Sequence, residues 1–207
     1  MEALHKTEAR PGMFISASAI GIYSGMAIHN ESSQDLDKGF LGTLCHEWEN
    51  QALKASCLVN TYIVRLGIVL GRDGGALHKM LPPFRIGVGG KIGSGTQNVS
   101  WIHIADLCRA LLFIIKNKPH GHLFNLTSPN PVSNALFTRT IASILKRPAY
   151  FTIPPLALKL LYGESASLLL SSQNVVPQNL LSAGFTFDFG EINQALSDLL
   201  LPSPSRK

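Results

Sequence analysis

The sequence predicts an α/β protein built on parallel strands covered on both faces, with a smaller, mostly helical lobe after them. Two short apolar runs, Met13 to Ser18 and Thr61 to Leu70, lack polar alternation, which is how strands buried on both faces read. Between them Phe40, Leu41, Leu44, Trp48, Ala52 and Ala55 recur at three- and four-residue spacing, the signature of a helix over 40–55. Strand, helix and strand in that order make a crossover unit with parallel strands, almost always right-handed.

The first run dissolves into Ser16-Ala17-Ser18-Ala19-Ile20-Gly21, small residues suited to a strand that opens at a site. After Gly71 the chain is glycine-rich, through Gly74-Gly75, an apolar stretch from Met80 to Phe84, and then Gly87, Gly89, Gly90, Gly93 and Gly95. This pattern predicts a long flexible loop region facing a ligand. Trp101 to Ile104 reads as a short strand, and Asp106 to Lys116 as a helix carried by Leu107, Ala110, Leu111, Ile114 and Ile115. A further helix opens after Pro131, capped by Ser133 or Asn134, and Pro148 closes it. From Phe151 onward short leucine-rich helices alternate with Pro154, Pro155 and Pro177, and a last helix covers 190–200.

Composition limits the function. Of 207 residues, 45% are hydrophobic and 15% charged, which excludes disorder. No apolar run reaches the roughly 18 residues of a membrane helix, and Met1 to Gly12 lack the apolar centre of a signal peptide. A cytoplasmic protein without a membrane partner is expected. The net charge of +5 comes from Lys and Arg scattered singly, with no basic stripe for nucleic acid. Cys45, Cys57 and Cys108 match neither a zinc site nor a disulfide framework, and no metal is expected. His46-Glu47-Trp48-Glu49-Asn50 fails as a zinc-protease motif because its fifth residue is Asn50. Trp48 is expected to pack inward on its helix, with Glu47 solvated.

Three segments in succession carry a family resemblance: Ser16 to Gly21, Arg65-Leu66-Gly67-Ile68-Val69-Leu70-Gly71, and Gly93-Ser94-Gly95-Thr96-Gln97 leading into Trp101-Ile102-His103-Ile104-Ala105-Asp106-Leu107. In order and spacing they resemble signatures of the extended short-chain dehydrogenase/reductases, in the epimerase/dehydratase branch. Leu44-Cys45 with Trp48-Glu49, Gly74-Gly75-Ala76-Leu77 with Met80 to Arg85, and Ser100 to Ile104 are most similar to an "epimerase family" group with its own C-terminal domain, often labelled cell-division-inhibitor-like. The resemblance implies the C-terminal part of a doubly wound, Rossmann-like parallel sheet over residues 1–70. Substrate-lobe and returning sheet elements would follow over 71–150, a C-terminal helical domain over 151–200, and a tail over 201–207. It also implies NADP (or NAD) as cofactor and an epimerase or oxidoreductase acting on an unidentified small molecule.

The chain departs from that pattern in three ways. A strand, glycine-rich turn and helix should come first to hold the pyrophosphate, and the sequence does not supply them. Gly87-Val88-Gly89-Gly90-Lys91-Ile92-Gly93 misses the third glycine by one position. The expectation is a chain that starts inside the nucleotide-binding domain, as a fragment or truncated product or with the cofactor half supplied from elsewhere. Such a chain would have an exposed sheet edge and would self-associate. Second, the family uses a Tyr as acid/base with a Lys four residues on, whose ammonium lowers the phenol's pKa. Aligning Glu49 with the glutamate that follows this motif puts Leu41 in the Tyr position and Cys45 in the Lys position. Third, the position of the diphosphate-pairing Arg is Val99, which argues against a nucleotide sugar.

By resemblance, Ser18 is the serine that hydrogen-bonds a substrate carbonyl or hydroxyl; its alternative is a small polar residue satisfied by backbone. Tyr23 could supply a displaced phenol or be a packed aromatic. Ser16, Ala17 and Ser18, with Leu66, Gly67, Ile68 and Val69, are the expected contacts to the nicotinamide end of the cofactor. Met80, Arg85, Gln97 and Trp101 are the expected substrate-pocket residues. Against an enzyme stands a non-catalytic NADP(H)-sensing or protein-interaction module on the same scaffold, which Leu41 and Cys45 favour.

Overall fold

The computed structural model describes residues 11–154 and 171–201. The leucine-rich segment expected between 155 and 170, with Pro155, and the tail from 202 lie outside the described residues. Three parallel strands form the principal sheet in the order β1 (Met13–Ala19), β2 (Asn60–Leu66), β7 (Leu123–Leu126). Register pairs Ser18 with Arg65 and Ala19 with Leu66 across β1 and β2, and Arg65 with Asn125 across β2 and β7. Helix α1 (Phe40–Leu53), continued by a 3-10 turn through Cys57, crosses between β1 and β2 as the periodicity predicts.

The apolar run 61–70 is not one strand. It breaks at Gly67, and β3 (Ile68–Leu70) leaves the sheet to pair in parallel with β6 (Trp101–His103). A Cβ on Gly67 would stand 2.8 Å from the Thr127 methyl and 3.0 Å from the Ser100 carbonyl oxygen, so only glycine lets the chain change partners here.

The expected loop region after Gly71 contains a helix, α2 (Gly75–Arg85), with Pro82 and Pro83 inside it. Proline removes backbone donors and usually ends a helix. Here the last turns persist because Leu77, Leu81 and Phe84 lie on one face and are buried in a core with Leu70, Trp101 and Phe137. The glycines beyond it are also structural. Gly90 lies in β4 (Gly90–Ile92), where a Cβ would run into the backbone of Phe151 in the paired strand β9 (Phe151–Ile153), and a Cβ on Gly89 would meet the Phe84 ring at 2.5 Å.

Two helices follow the sequence reading closely. Helix α3 (Ile104–Asn117) is capped by His103, and α4 (Asn134–Leu145) by Ser133, whose hydroxyl accepts from the Leu136 N–H. A short β5 (Asn98–Val99) pairs with β8 (Val132–Ser133), and the C-terminal region adds α5 (Gln178–Ser182) and α6 (Ile192–Leu200). Helix α6 buries Ile192, Ala195, Leu196 and Leu199 against α4, joining the end of the chain to the same core.

The inward face of α1 is not the apolar stripe. Gly42, Cys45, Glu49 and Ala52 are buried, while Phe40, Leu44 and Trp48 are exposed, reversing the expectation for Trp48. The physical reason is Arg65: its guanidinium lies under the helix, and the only carboxylate on α1 in reach of it defines which face turns inward.

Candidate functional site

Open parallel sheets bind ligands beyond the C-terminal ends of their strands, and here those ends carry one continuous polar network. The Glu49 carboxylate lies over β1 and β2. Its Oε1 accepts from the Ser18 hydroxyl at 2.6 Å and from Arg65 Nε at 2.8 Å, and its Oε2 accepts from Arg65 Nη2 at 2.7 Å. The remaining Arg65 nitrogen, Nη1, donates to the Tyr23 hydroxyl at 2.7 Å, and Tyr23 in turn donates to Asn125 Oδ1 at 3.0 Å. Asn125 Nδ2 donates to the Val176 carbonyl at 3.1 Å, so the network ends on the C-terminal region. Burial works against the Arg65 charge, but Glu49 and Tyr23 outweigh it and hold the guanidinium charged above its ordinary range.

Tyr23 has its hydroxyl engaged on both sides. Its ring is buried, its oxygen has a donor and an acceptor, and burial pushes its phenol pKa up against the pull of Arg65. Leu41 packs on Gly21, and Cys45 is buried with Ile20, Ile22, Tyr23 and Val175, its thiol beside Ser18. Burial raises the Cys45 pKa, so it stays a thiol and not a nucleophile.

The C-terminal region closes one side of this site. Ser100, between β5 and β6, accepts from the Val175 N–H at 2.8 Å and donates to the Gln173 carbonyl at 2.8 Å. Thr127 donates to the Val175 carbonyl. Glu31, which composition did not single out, accepts the backbone N–H groups of Asn125 and Asn179 and so ties the loop after β1 to β7 and α5. Burial raises its pKa, opposed by those hydrogen bonds.

Of the expected cofactor contacts, Ser16 is buried, Ala17 exposed, and Ser18, Leu66, Gly67, Ile68 and Val69 half-buried at adjoining strand ends. The glycine at 67 is accounted for by Thr127 and Ser100. The four expected pocket residues do not converge. Trp101 is fully buried in the core between α2 and α4, and Met80 packs against that core. Gln97 Nε2 donates to the Ile92 carbonyl at 3.1 Å and closes its own loop, and Arg85 is exposed at the end of α2. Met80 and Arg85 stand on a helix where the glycine-rich pattern predicts a loop, while Gln97 lies in a bend and Trp101 in the strand that the sequence predicts. An open groove of about 470 Å³ lies elsewhere, lined by residues 34–38 and the first turns of α1.

Toward a dinucleotide, the end of β1 offers an exposed Ala17 and a half-buried Ser18, and no succession of strand, G-x-G-x-x-G turn and helix to hold a pyrophosphate occurs among the described residues. No group of three or more His, Cys, Asp or Glu among them could hold a metal, and no helix among them is long and apolar enough to cross a membrane.

A parallel sheet with a crossover helix, a serine at the end of one strand and an arginine at the end of the next defines the class: part of a nucleotide-binding α/β domain of the short-chain dehydrogenase/reductase type. The chain belongs to the NAD dependent epimerase/dehydratase family, whose model matches residues 2–127, and residues 153–199 match a domain of unknown function. It is 39% identical over 195 residues to the chloroplastic epimerase family protein SDR39U1 homolog of Arabidopsis thaliana, a match covering 93% of this chain and 56% of that one. An epimerase family protein of Staphylococcus aureus is 36% identical, covering 92% and 64%. The chain thus spans roughly three fifths of the length of these relatives. Among solved structures, human epimerase family protein SDR39U1 (isoform2) with NADPH superposes with a TM-score of 0.86 at 33% identity, covering 96% of this chain and 68% of that one. A nucleoside-diphosphate sugar epimerase from Corynebacterium glutamicum gives 0.72 at 32% identity, covering 96% and 39%.

Proposed function

We propose that the chain carries the substrate side of an NAD(P)-dependent epimerase or oxidoreductase-like site for a small molecule, with the nicotinamide end of the cofactor at Ser16 to Ser18 and Leu66 to Val69. The observation that carries this reading is Ser18, half-buried at the end of β1 beside the end of β2, where a parallel sheet places its ligand. A human relative whose structure was solved with NADPH supports NADP(H) over other nucleotides. A bound nicotinamide would supply or accept a hydride. The chain's own part is to orient the reacting group through Ser18, held by Glu49, and to exclude water with Cys45, Tyr23 and Val175. Leu41 and Cys45 cannot move a proton as Tyr and Lys do, so any proton transfer has another donor.

With no G-x-G-x-x-G turn among the described residues to hold the pyrophosphate, weak affinity is expected. Titrating NADPH into the 207-residue protein is expected to shift the backbone amides of 16–18 and 66–69 in the millimolar range. Saturation at micromolar NADPH overturns the weak binding, and shifts confined to other residues overturn the site.

The second reading, a non-catalytic NADP(H)-sensing or interaction module, is favoured by the packing of Leu41 and Cys45. NADPH oxidation with a panel of carbonyl compounds, and NADP reduction with alcohols, separates the two. Substrate-dependent turnover supports the enzyme, and binding without turnover supports the module.

A further inference from the structure

We propose that Glu49 fixes the polarity of the Ser18 hydroxyl, so that this strand end recognises a hydrogen-bond donor on its ligand, a hydroxyl or an N–H, and turns away a carbonyl. The inference rests on the reading of the strand end at Ser18 as the ligand site.

Each hydrogen bond of the network has one direction. A guanidinium only donates and a carboxylate only accepts. Arg65 therefore gives Nε–H and Nη2–H to Glu49 and Nη1–H to the Tyr23 oxygen. With that oxygen already accepting from Arg65, its own proton points to Asn125 Oδ1, and Asn125 is held in that orientation because its Nδ2 donates to the Val176 carbonyl. At the other end, Ser18 Oγ and Glu49 Oε1 are 2.6 Å apart, a charge-assisted distance. Two oxygens at that separation need a proton between them, and only Ser18 has one to give. Glu49 cannot turn away to release it, because both of its oxygens are tied to Arg65 and its side chain is buried.

What Ser18 has left is acceptor capacity. A serine oxygen carries two lone pairs, and with its proton donated to Glu49 they are left as acceptors at the half-buried end of β1, next to the exposed Ala17. A ligand carbonyl brought there would set lone pair against lone pair. An alcohol or an amide N–H would complete the oxygen's bonding. Glu49 is in this sense a positioning residue: it touches no ligand and decides which kind of group Ser18 accepts.

Cyclohexanol and cyclohexanone, matched in shape and differing in the proton, test this on the 207-residue protein labelled with ¹⁵N. The amides of residues 16–19 report binding. The alcohol is expected to bind about fivefold more tightly than the ketone, the worth of one net hydrogen bond. Ser18→Ala is expected to erase the difference and Ser18→Thr to retain it. Glu49→Gln frees the hydroxyl to rotate, and the ketone is expected to gain on the alcohol. Should that variant fail to fold with Arg65 half-partnered, the Ser18 variants and a slowly exchanging Ser18 hydroxyl proton close to the Glu49 side chain still decide. Equal or tighter ketone binding overturns the inference, as does an alcohol preference that survives Ser18→Ala, or no shift at 16–19 with either compound. NADPH shifts at 16–18 and 66–69 without an alcohol preference defeat this inference alone. An alcohol preference without NADPH shifts defeats the cofactor reading alone.

Discussion

Glu49 and Arg65 form a two-point ion pair, Oε1 to Nε at 2.8 Å and Oε2 to Nη2 at 2.7 Å, with 7% and 6% of the two residues exposed. A pair this buried adds little net stability, because desolvation offsets the attraction, but removing one partner strands the other. Glu49→Ala is expected to lower stability by about 3–5 kcal/mol. The paired replacement Glu49→Leu with Arg65→Met is expected to lose markedly less than the sum of the single changes. Urea unfolding of the four proteins measures the coupling, and additive losses would refute it.

How much of this was legible beforehand depends on the kind of residue. The parallel strands, the crossover helix and the cap at Ser133 follow from burial without alternation and from helical spacing, which are local properties, whereas the cap at His103 lies ahead of Asp106, where spacing starts that helix. Arg65 inside an otherwise apolar strand was the one signal of the network, since a buried guanidinium requires a carboxylate. Its partner stays ambiguous between Glu47 and Glu49 as long as helical spacing alone points Trp48 inward. Helix α2 was missed because two prolines and flanking glycines outweigh, on local grounds, a burial that only tertiary contact with Trp101 and Phe137 creates. Tyr23 and the four pocket residues depended on which way side chains turn, and that is decided by neighbours distant in sequence.

Gly67 is expected to tolerate no side chain. With 2.8 Å to the Thr127 methyl and 3.0 Å to the Ser100 carbonyl, Gly67→Ala forces the β2 to β3 switch apart and should cost roughly 1–3 kcal/mol. Gly74→Ala serves as the control, because a Cβ there meets nothing within 4 Å. Equal melting temperatures for the two variants would remove the packing explanation.

Lys118 and Lys146 end helices α3 and α4 in the left-handed region, at φ of 45° and 53°. An L side chain is strained there and glycine is not. Lys146→Gly is expected to stabilise the protein by about 1 kcal/mol, and Lys118→Gly similarly, without moving either helix end. Thermal unfolding reads the gain, and a loss in both variants would mean the lysine side chains hold contacts worth more than the strain.

His103 links pH to the attachment of the C-terminal helix. Its Nδ1 accepts the Ala105 N–H at 3.1 Å, so the neutral ring carries its proton on Nε2, 3.3 Å from an Asp198 oxygen on α6, and its face stacks on Phe189. Protonating Nδ1 would set a donor against the Ala105 donor and break the cap. Burial, partly offset by Asp198, accordingly holds the ring below its ordinary value of 6.5. The unfolded chain then takes up a proton before the native one as the pH falls. The contribution of His103 is complete above 6.5 and is lost as the pH drops through the native value. His103→Asn keeps a side-chain cap and removes the titration. Stability measured from pH 7.5 downward is expected to fall more steeply in the parent than in this variant, and parallel curves would refute the link.

Self-association is the remaining consequence of the surface. Among the described residues β1 pairs only with β2, leaving one edge of a parallel sheet unpaired, and Phe40, Leu44 and Trp48 stand exposed on the helix that crosses beside it. An unpaired edge next to a large apolar stripe favours pairing between chains. The chain's two tryptophans report on this separately, since Trp101 is buried and Trp48 is exposed. As protein concentration rises, sedimentation is expected to show association while acrylamide quenching of Trp48 falls and that of Trp101 stays low. Trp48→Lys should weaken the association without lowering the melting temperature, because the indole has little packing to lose. A monodisperse monomer that melts cooperatively, with Trp48 quenched equally at all concentrations, would show that the edge and stripe are tolerated as they stand.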